Sequence, residues 1–503
     1  MGILPSSKRI ARGAVIVFLG MLLSRALSYI YTALVARLGS SEYGLLSLAL
    51  VIVSFISIFA ALGLRTGVAR YVAYFKGKNN NKKIKGTIIS SLKLSLPFTL
   101  VLTFLLFIFS EEISIFFFHN ADLIPILKIS SLALPFISFS DLFLAVIIGF
   151  QKIEYKVLIK EILETVIKLI LTFIVIYFGY HLLGVTIVYV LSIIITAILS
   201  FYFLQKKIFP FFKTKVATTL ITRELFIFSI PLIFSSVLTL VIKWTDVLMI
   251  GYFKTTSEVG IYNVALPTAN LLVIVPTSLM AIFMPIITEF YSKRKFKEIK
   301  HISMINSKWI FFLNFPLFLL ILFFSEDILS IMFGPEYVSG GTALLILIFG
   351  YMVRSLFHVP ATILTMLKKT KLLFCIGLVS AISNVVLNIL LIPRMGIVGG
   401  AIATSFSFIF SFVFVSRYAY RLTRVQPLKL SYLKSIFAGI ISFVMIYYAV
   451  RLIGDISFVY LILFSIIFLI VYAFLVYLLR GLNKEDIEIV KIFFSKVKKL
   501  KMF

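Results

Sequence analysis

Charge, cysteine and histidine are scarce in this chain of 503 residues. Only 14% of its residues are charged, and it holds one cysteine (Cys375), four histidines and 20 acids. A lone cysteine excludes an intramolecular disulfide framework. The histidines are scattered without metal-ligand spacing. Soluble domains carry about 25% charged residues, so so little charge excludes disorder and a water-soluble enzyme. No Gly-x-x-x-x-Gly-Lys-Ser/Thr loop exists, which excludes ATP hydrolysis by that route. No segment between apolar runs is large enough for a catalytic domain, and the chain is read as a non-enzyme.

What is abundant is apolar surface: 61% of residues are hydrophobic and the mean hydropathy is +1.11. A transmembrane helix needs about 20 apolar residues. Apolar runs between polar punctuation give fourteen candidate spans, at 13–37, 43–64, 86–110, 123–149, 159–179, 183–205, 225–250, 261–287, 306–331, 341–367, 370–392, 397–419, 433–454 and 457–480. The expected fold is therefore an all-α, polytopic membrane protein.

A net charge of +29 on a soluble protein would suggest nucleic acid. Here 39 of the 49 Lys and Arg fall at the N-terminus, in alternate loops and in the C-terminal tail, against 4 in the intervening loops. The excess marks the cytoplasmic side. Both termini are therefore expected in the cytoplasm, in the cell membrane, with no nucleic-acid partner. The basic stretches 65–85, 288–308 and 484–501 read first as anchors for inner-leaflet membrane lipids, at about 1 kcal/mol per basic residue. Docking of partner enzymes is the alternative use.

The chain also matches itself at an offset near 216. Ser41-Glu42-Tyr43-Gly44-Leu45 aligns with Ser257-Glu258-Val259-Gly260-Ile261, and Gly184, Ile187 and Ser192 align with Gly399, Ile402 and Ser407. Such spacing argues for duplication. It predicts a six-helix lobe over 1–215, a second over 216–428, and two further helices with a basic tail over 429–503. Six spans per copy give both copies the same polarity, as in secondary transporters with rocking lobes and alternating access.

Several groups are ionisable or polar yet lie inside spans, where they need a partner or water. At about 1.5 Å per residue, Arg25 and Arg354 fall at the centres of their spans and Lys168 about 2 Å off centre. Glu164 and Asp141 lie about 8 Å off, and Asp246 about 12 Å. Glu164 with Lys168, and Lys243 with Asp246, have spacings that allow pairing on one helix face. The two arginines have no acid at such spacing. Guanidinium binds phosphate bidentately and stays charged, so Arg25, Arg354 and Lys168 are the candidate substrate-binding residues for a lipid diphosphate. Pairing of each with an acid on another helix is the alternative. Asp141, Glu164, Asp246, His358, Asn384 and Asn388 are candidates for gating or for coupling to Na+ or H+. Packing or inter-helix hydrogen bonding is the competing reading of the histidine and the asparagines. No other cofactor and no metal centre is expected.

Four motifs in order carry a family likeness. They are Ser24-Arg25 with Ala36-Arg37-Leu38-Gly39-x-x-Glu42-Tyr43-Gly44; Phe228-Ser229-Ile230-Pro231-Leu232 followed by Asp246 and Gly260-Ile261-Tyr262-Asn263; Phe333-Gly334-Pro335-Glu336-Tyr337; and Asn384-x-x-x-Asn388-x-x-x-x-Pro393-x-x-Gly396-x-x-Gly399-Gly400-Ala401-x-Ala403-Thr404. Over residues 8 to 420 the chain resembles the polysaccharide (Wzx-type) flippases of the MOP superfamily, whose relatives include peptidoglycan-precursor flippases and MATE drug exporters. The resemblance implies transfer of a polyprenyl-(di)phosphate-linked oligosaccharide from the inner to the outer leaflet, with glycan-assembly enzymes as the partners the basic stretches would dock. A MATE-like exporter of organic cations is the first rival, and a membrane glycosyltransferase or polymerase the second.

Overall fold

The computed structural model describes residues 5–212, 218–424, 432–451, 457–479 and 481. Both expected lobe boundaries, 215/216 and 428/429, and the basic tail 484–501 lie outside them. Among the described residues every regular element is a helix. Those of eight or more residues are α1 (Pro5–Ala36), α2 (Ser40–Ala60), α3 (Leu64–Gly77), α4 (Asn81–Ile108), α5 (Leu123–Ser131), α6 (Leu134–Gly149), α7 (Glu164–Tyr177), α8 (Leu182–Phe203), α9 (Thr222–Phe253), α10 (Thr256–Asn270), α11 (Ile274–Ser292), α12 (Phe296–Phe323), α13 (Ser325–Met332), α14 (Gly341–Met366), α15 (Thr370–Met395), α16 (Ile397–Thr423), α17 (Tyr432–Arg451) and α18 (Phe458–Leu478).

Each of the fourteen expected stretches coincides with helix over most of its described length. Among the described residues, eleven helices are long and apolar enough to cross a membrane, or twelve if Thr222–Leu238 and Leu240–Phe253, bent by 46°, form one span. One expected span falls short for a physical reason. The helical stretch 153–177 is interrupted by charge: Glu154, Lys156, Lys160, Glu161, Glu164 and Lys168. Proline interrupts α4, α9, α10, α12, α14 and α15. Membrane helices tolerate this because neighbouring groups satisfy the freed carbonyls. The protein is a multi-pass membrane protein.

The chain divides into two compact units, 1–268 with 332–344 and 377–407, and 269–331 with 345–376 and 408–503. In the first, a buried core gathers Leu64, Val68, Val72 and Phe75 of α3, Ile84 and Ile88 of α4, and Leu142–Ile147 of α6. The four α3 positions recur at helical spacing, so one face of α3 is apolar while Arg65, Arg70, Tyr74 and Lys78 stay exposed. The basic stretch 65–85 is thus largely an amphipathic helix and the start of α4, where the sequence alone suggested a loop.

The two copies of the repeated Ser-Glu-x-Gly motif meet at the starts of α2 and α10. The Ser40 and Ser257 hydroxyls lie 2.8 Å apart, and those of Ser41 and Thr256 2.9 Å. A Cβ on Gly44 would stand 1.8 Å from the Thr256 carbonyl oxygen, and one on Gly260 2.0 Å from that of Ser40. Only glycine permits so close a reciprocal crossing. Glu336 then secures the start of α2, accepting from the Ser40 amide at 3.0 Å and its hydroxyl at 3.2 Å.

In the second unit, Leu364, Ile376, Val415 and Ala419 form a buried core. α17 packs its Gly439 against Phe315 and Leu319 of α12. Tyr472 of α18 bonds to Ser435 and donates to the Phe312 carbonyl at 3.1 Å. Most large apolar side chains of α18 remain uncovered, as a lipid-facing helix requires.

Candidate functional site

Two polar clusters occur within the first unit, and they differ in kind. The first is cationic and half-exposed. It joins α1 to the charged stretch before and within α7, where residues Val157–Leu163 form a π-helix. Such widened turns often mark functional positions. Lys160 pairs with Glu164 at 2.9 Å, and Lys156 with Glu161 at 2.6 Å. Ser24 of α1 donates to Glu161 at 3.5 Å. Asp141 of α6 acts electrostatically on Lys160, and Arg25 on Glu161.

Lys168 does not take Glu164 as its ion-pair partner, although i, i+4 spacing allowed it. Its ammonium lies 4.3 Å from the centroid of the Tyr31 ring on α1. Glu164 pairs instead with Lys160, one turn the other way. Arg25 is exposed and has no carboxylate within 4 Å among the described residues. Four cations (Arg25, Lys156, Lys160, Lys168) therefore face three acids (Asp141, Glu161, Glu164), leaving positive charge at an exposed guanidinium.

The second cluster is buried and carries one carboxylate. Asp246 of α9 is 1% exposed, and Asn384 and Asn388 of α15 are fully buried. Asp246 Oδ2 accepts from the Tyr262 hydroxyl at 2.6 Å and from the Thr404 hydroxyl at 2.8 Å. Asn384 Nδ2 donates to Thr404 at 3.3 Å, and Asn388 Nδ2 to Asn384 Oδ1 at 3.2 Å. Lys243 lies instead over the Trp244 ring, 4.4 Å from its centroid. Gly400 lets α16 come close: a Cβ there would be 3.6 Å from both Asp246 Cβ and Tyr262 Cζ. Asp246 Oδ1 and Asn388 Oδ1 are buried without a hydrogen-bond partner among the described residues. Buried acceptors left without a partner are uncommon in folded proteins.

Arg354 and His358 belong to the second unit. The Arg354 guanidinium stands over the Phe408 ring at 4.4 Å and beside Tyr351 at 5.6 Å. His358 Nε2 is buried without a described partner. The structure thus brings Arg25, Asp141, Glu164 and Lys168 into one cluster and Asp246, Asn384 and Asn388 into another. Sequence reasoning missed Tyr31, Lys160, Glu161, Tyr262 and Thr404. The spacing 160, 164, 168 was a readable signal for Lys160.

Comparison with known proteins agrees with this architecture. The polysaccharide biosynthesis protein family matches residues 10–291, and the MatE family matches residues 231–390. An uncharacterised membrane protein of Methanocaldococcus jannaschii is 26% identical over 87% of this chain and 89% of its own length. A probable low-salt glycan biosynthesis flippase, Agl15 of Haloferax volcanii, is 30% identical over 39% of this chain and 42% of its own. The solved structure of the lipid II flippase MurJ in an inward closed conformation covers 92% of this chain and 98% of its own with a TM-score of 0.72 at 18% identity, a likeness of fold. With more than half its length matched, this chain belongs to the polysaccharide biosynthesis protein family.

Proposed function

We propose that this protein is a flippase that carries a polyprenyl-(di)phosphate-linked oligosaccharide from the inner to the outer leaflet of the cell membrane for surface glycan assembly. In this reading fourteen spans make two pseudo-symmetric six-helix lobes plus two C-terminal helices, with both termini in the cytoplasm. The observation that carries the reading is Arg25, an exposed guanidinium on an apolar helix, unpaired among the described carboxylates. Arg25 binds the diphosphate, Lys168 supports it from α7, and Arg354 is a separate phosphate contact. Each guanidinium hydrogen bond to an anion contributes about 1.5–3 kcal/mol. The polyprenyl tail stays in lipid.

The Asp246 cluster is the proposed seat of the coupling ion. Na+ is the proposed occupant, held by the leftover oxygens of Asp246 and Asn388; a proton held on Asp246 is the alternative. Complementation of a deletion strain tests the substrate reading. Arg25→Ala is expected to abolish glycan export while the protein reaches the membrane at its normal level, and full complementation would remove the diphosphate role. One observation favours a second reading, export of organic cations: the MatE match spans the stretch that contains acidic Asp246. Drug sensitivity of cells with and without the protein separates the two.

A further inference from the structure

Away from both clusters, α3, the start of α4 and the first turns of α9 line an open cavity of about 530 Å³. Three cations reach it, Arg70, Lys78 and Lys83, against one carboxylate, Glu224. The cations rest on rings. Arg70 lies 4.3 Å from the Phe228 centroid, Lys78 4.6 Å from that of Tyr74, and Lys83 5.3 Å from that of Phe75. None is within 4 Å of a described carboxylate. The Lys78 ammonium also holds the Tyr74 phenol below its ordinary pKa by hydrogen bonding and charge.

The walls are fixed by close backbone contacts. A Cβ on Gly86 would stand 1.8 Å from the Thr219 carbonyl oxygen, and the Ile221 amide donates to Ser90 at 3.1 Å. Asn80 caps α4 by accepting from the Lys83 amide at 3.0 Å. Arg70, Tyr74 and Lys78 share one face of α3 at i, i+4 and i+8. The opposite face is buried in the core, so the basic and aromatic side chains lie on the exposed side of α3.

We propose that this cavity binds a phosphate ester carrying a hydroxylated ring, with Arg70, Lys78 and Lys83 on the phosphate and the Tyr71 and Tyr74 rings against the sugar-like face. Net positive charge selects the anion. The exposed Tyr74 ring adds apolar contact with a ring that a bare phosphate lacks. A cavity of this size admits such a headgroup whole. Two sources share that chemistry, an anionic phospholipid headgroup at the membrane surface and a soluble phosphorylated ring. The cavity walls come from the loop helix of the first repeat and, through Glu224, from the first helix of the second. An occupant there therefore contacts both copies of the duplication.

The test is a binding titration on purified full-length protein in detergent. The probes are dioctanoyl-phosphatidylinositol, dioctanoyl-phosphatidylcholine and inositol 1-phosphate. The inositol lipid is expected to bind and the choline lipid not. Each surface cation contributes about fivefold, so Lys78→Gln with Lys83→Gln is expected to weaken binding about 25-fold. The corresponding double arginine variant retains it, and Glu224→Gln tightens it. Inositol 1-phosphate binding with the same sensitivity to the variants assigns the soluble source, and its failure to bind assigns the lipid. The proposal is overturned if both lipids bind alike, or if the double glutamine variant, shown folded by an unchanged melting temperature, binds the inositol lipid as well as wild type.

Discussion

The cationic cluster around Arg25 and the buried cluster around Asp246 place charge in an apolar protein in opposite ways. The first holds seven ionisable groups close together, half-exposed, with pairs that leave one guanidinium over. The second holds a single carboxylate, 1% exposed, supported by hydroxyl and amide groups rather than by an ammonium. An exposed guanidinium without a carboxylate partner takes a ligand readily, because it has no ion pair to break. A buried carboxylate with two donors does not, because leaving those donors unpaired costs far more than the bonds contribute net. The difference predicts that loss of the unpaired Arg25 changes transport alone and that loss of Asp246 changes stability as well.

Arg25→Ala should produce the largest effect on transport. Loss of about 1.5–3 kcal/mol of charged hydrogen bonding corresponds to roughly 10–150-fold weaker use of an anionic substrate. The melting temperature of the purified protein should not move. Asp246→Ala should lower stability by about 2–4 kcal/mol, since it leaves the Tyr262 and Thr404 hydroxyls without their acceptor. It should also abolish any rise in melting temperature on adding Na+ in place of choline, measured by thermal unfolding. An Arg25→Ala protein that is equally destabilised would erase the contrast between the clusters.

Glu164→Gln removes the partner of Lys160 and should cost about 1–2 kcal/mol. Adding Lys160→Met should recover part of that loss, which a double-mutant cycle measures. The smallest effect is expected for Lys168→Gln, about 0.5–2 kcal/mol through its contact with Tyr31. In a Tyr31→Leu background the same substitution should cost almost nothing. A full cost there would show that Lys168 is held by Glu164 after all.

The helices were legible because the apolar runs are long and the punctuation between them is basic or short. The motif carrying Asn384, Asn388 and Thr404 was also legible as a pattern. Its chemistry was not, since Asp246 meets Tyr262 and Thr404 from 16 and 158 residues away. Helical spacing announces only local partners, which is why Glu164 was matched with Lys168. The partner that captures Lys168 is an aromatic ring on another helix. Likewise α3 carries Leu64, Val68, Val72 and Phe75 at helical spacing, but seven basic residues between 65 and 85 made the stretch read as a loop.

Flipping by the purified protein tests the account most directly. In proteoliposomes that contain a fluorescent polyprenyl-diphosphate-linked oligosaccharide, wild type is expected to move the lipid between leaflets, measured by accessibility to an added glycosidase. Arg25→Ala should not, and neither protein should accumulate the organic cation tetraphenylphosphonium. Uptake of that cation by wild type without any transfer of the lipid would contradict the account.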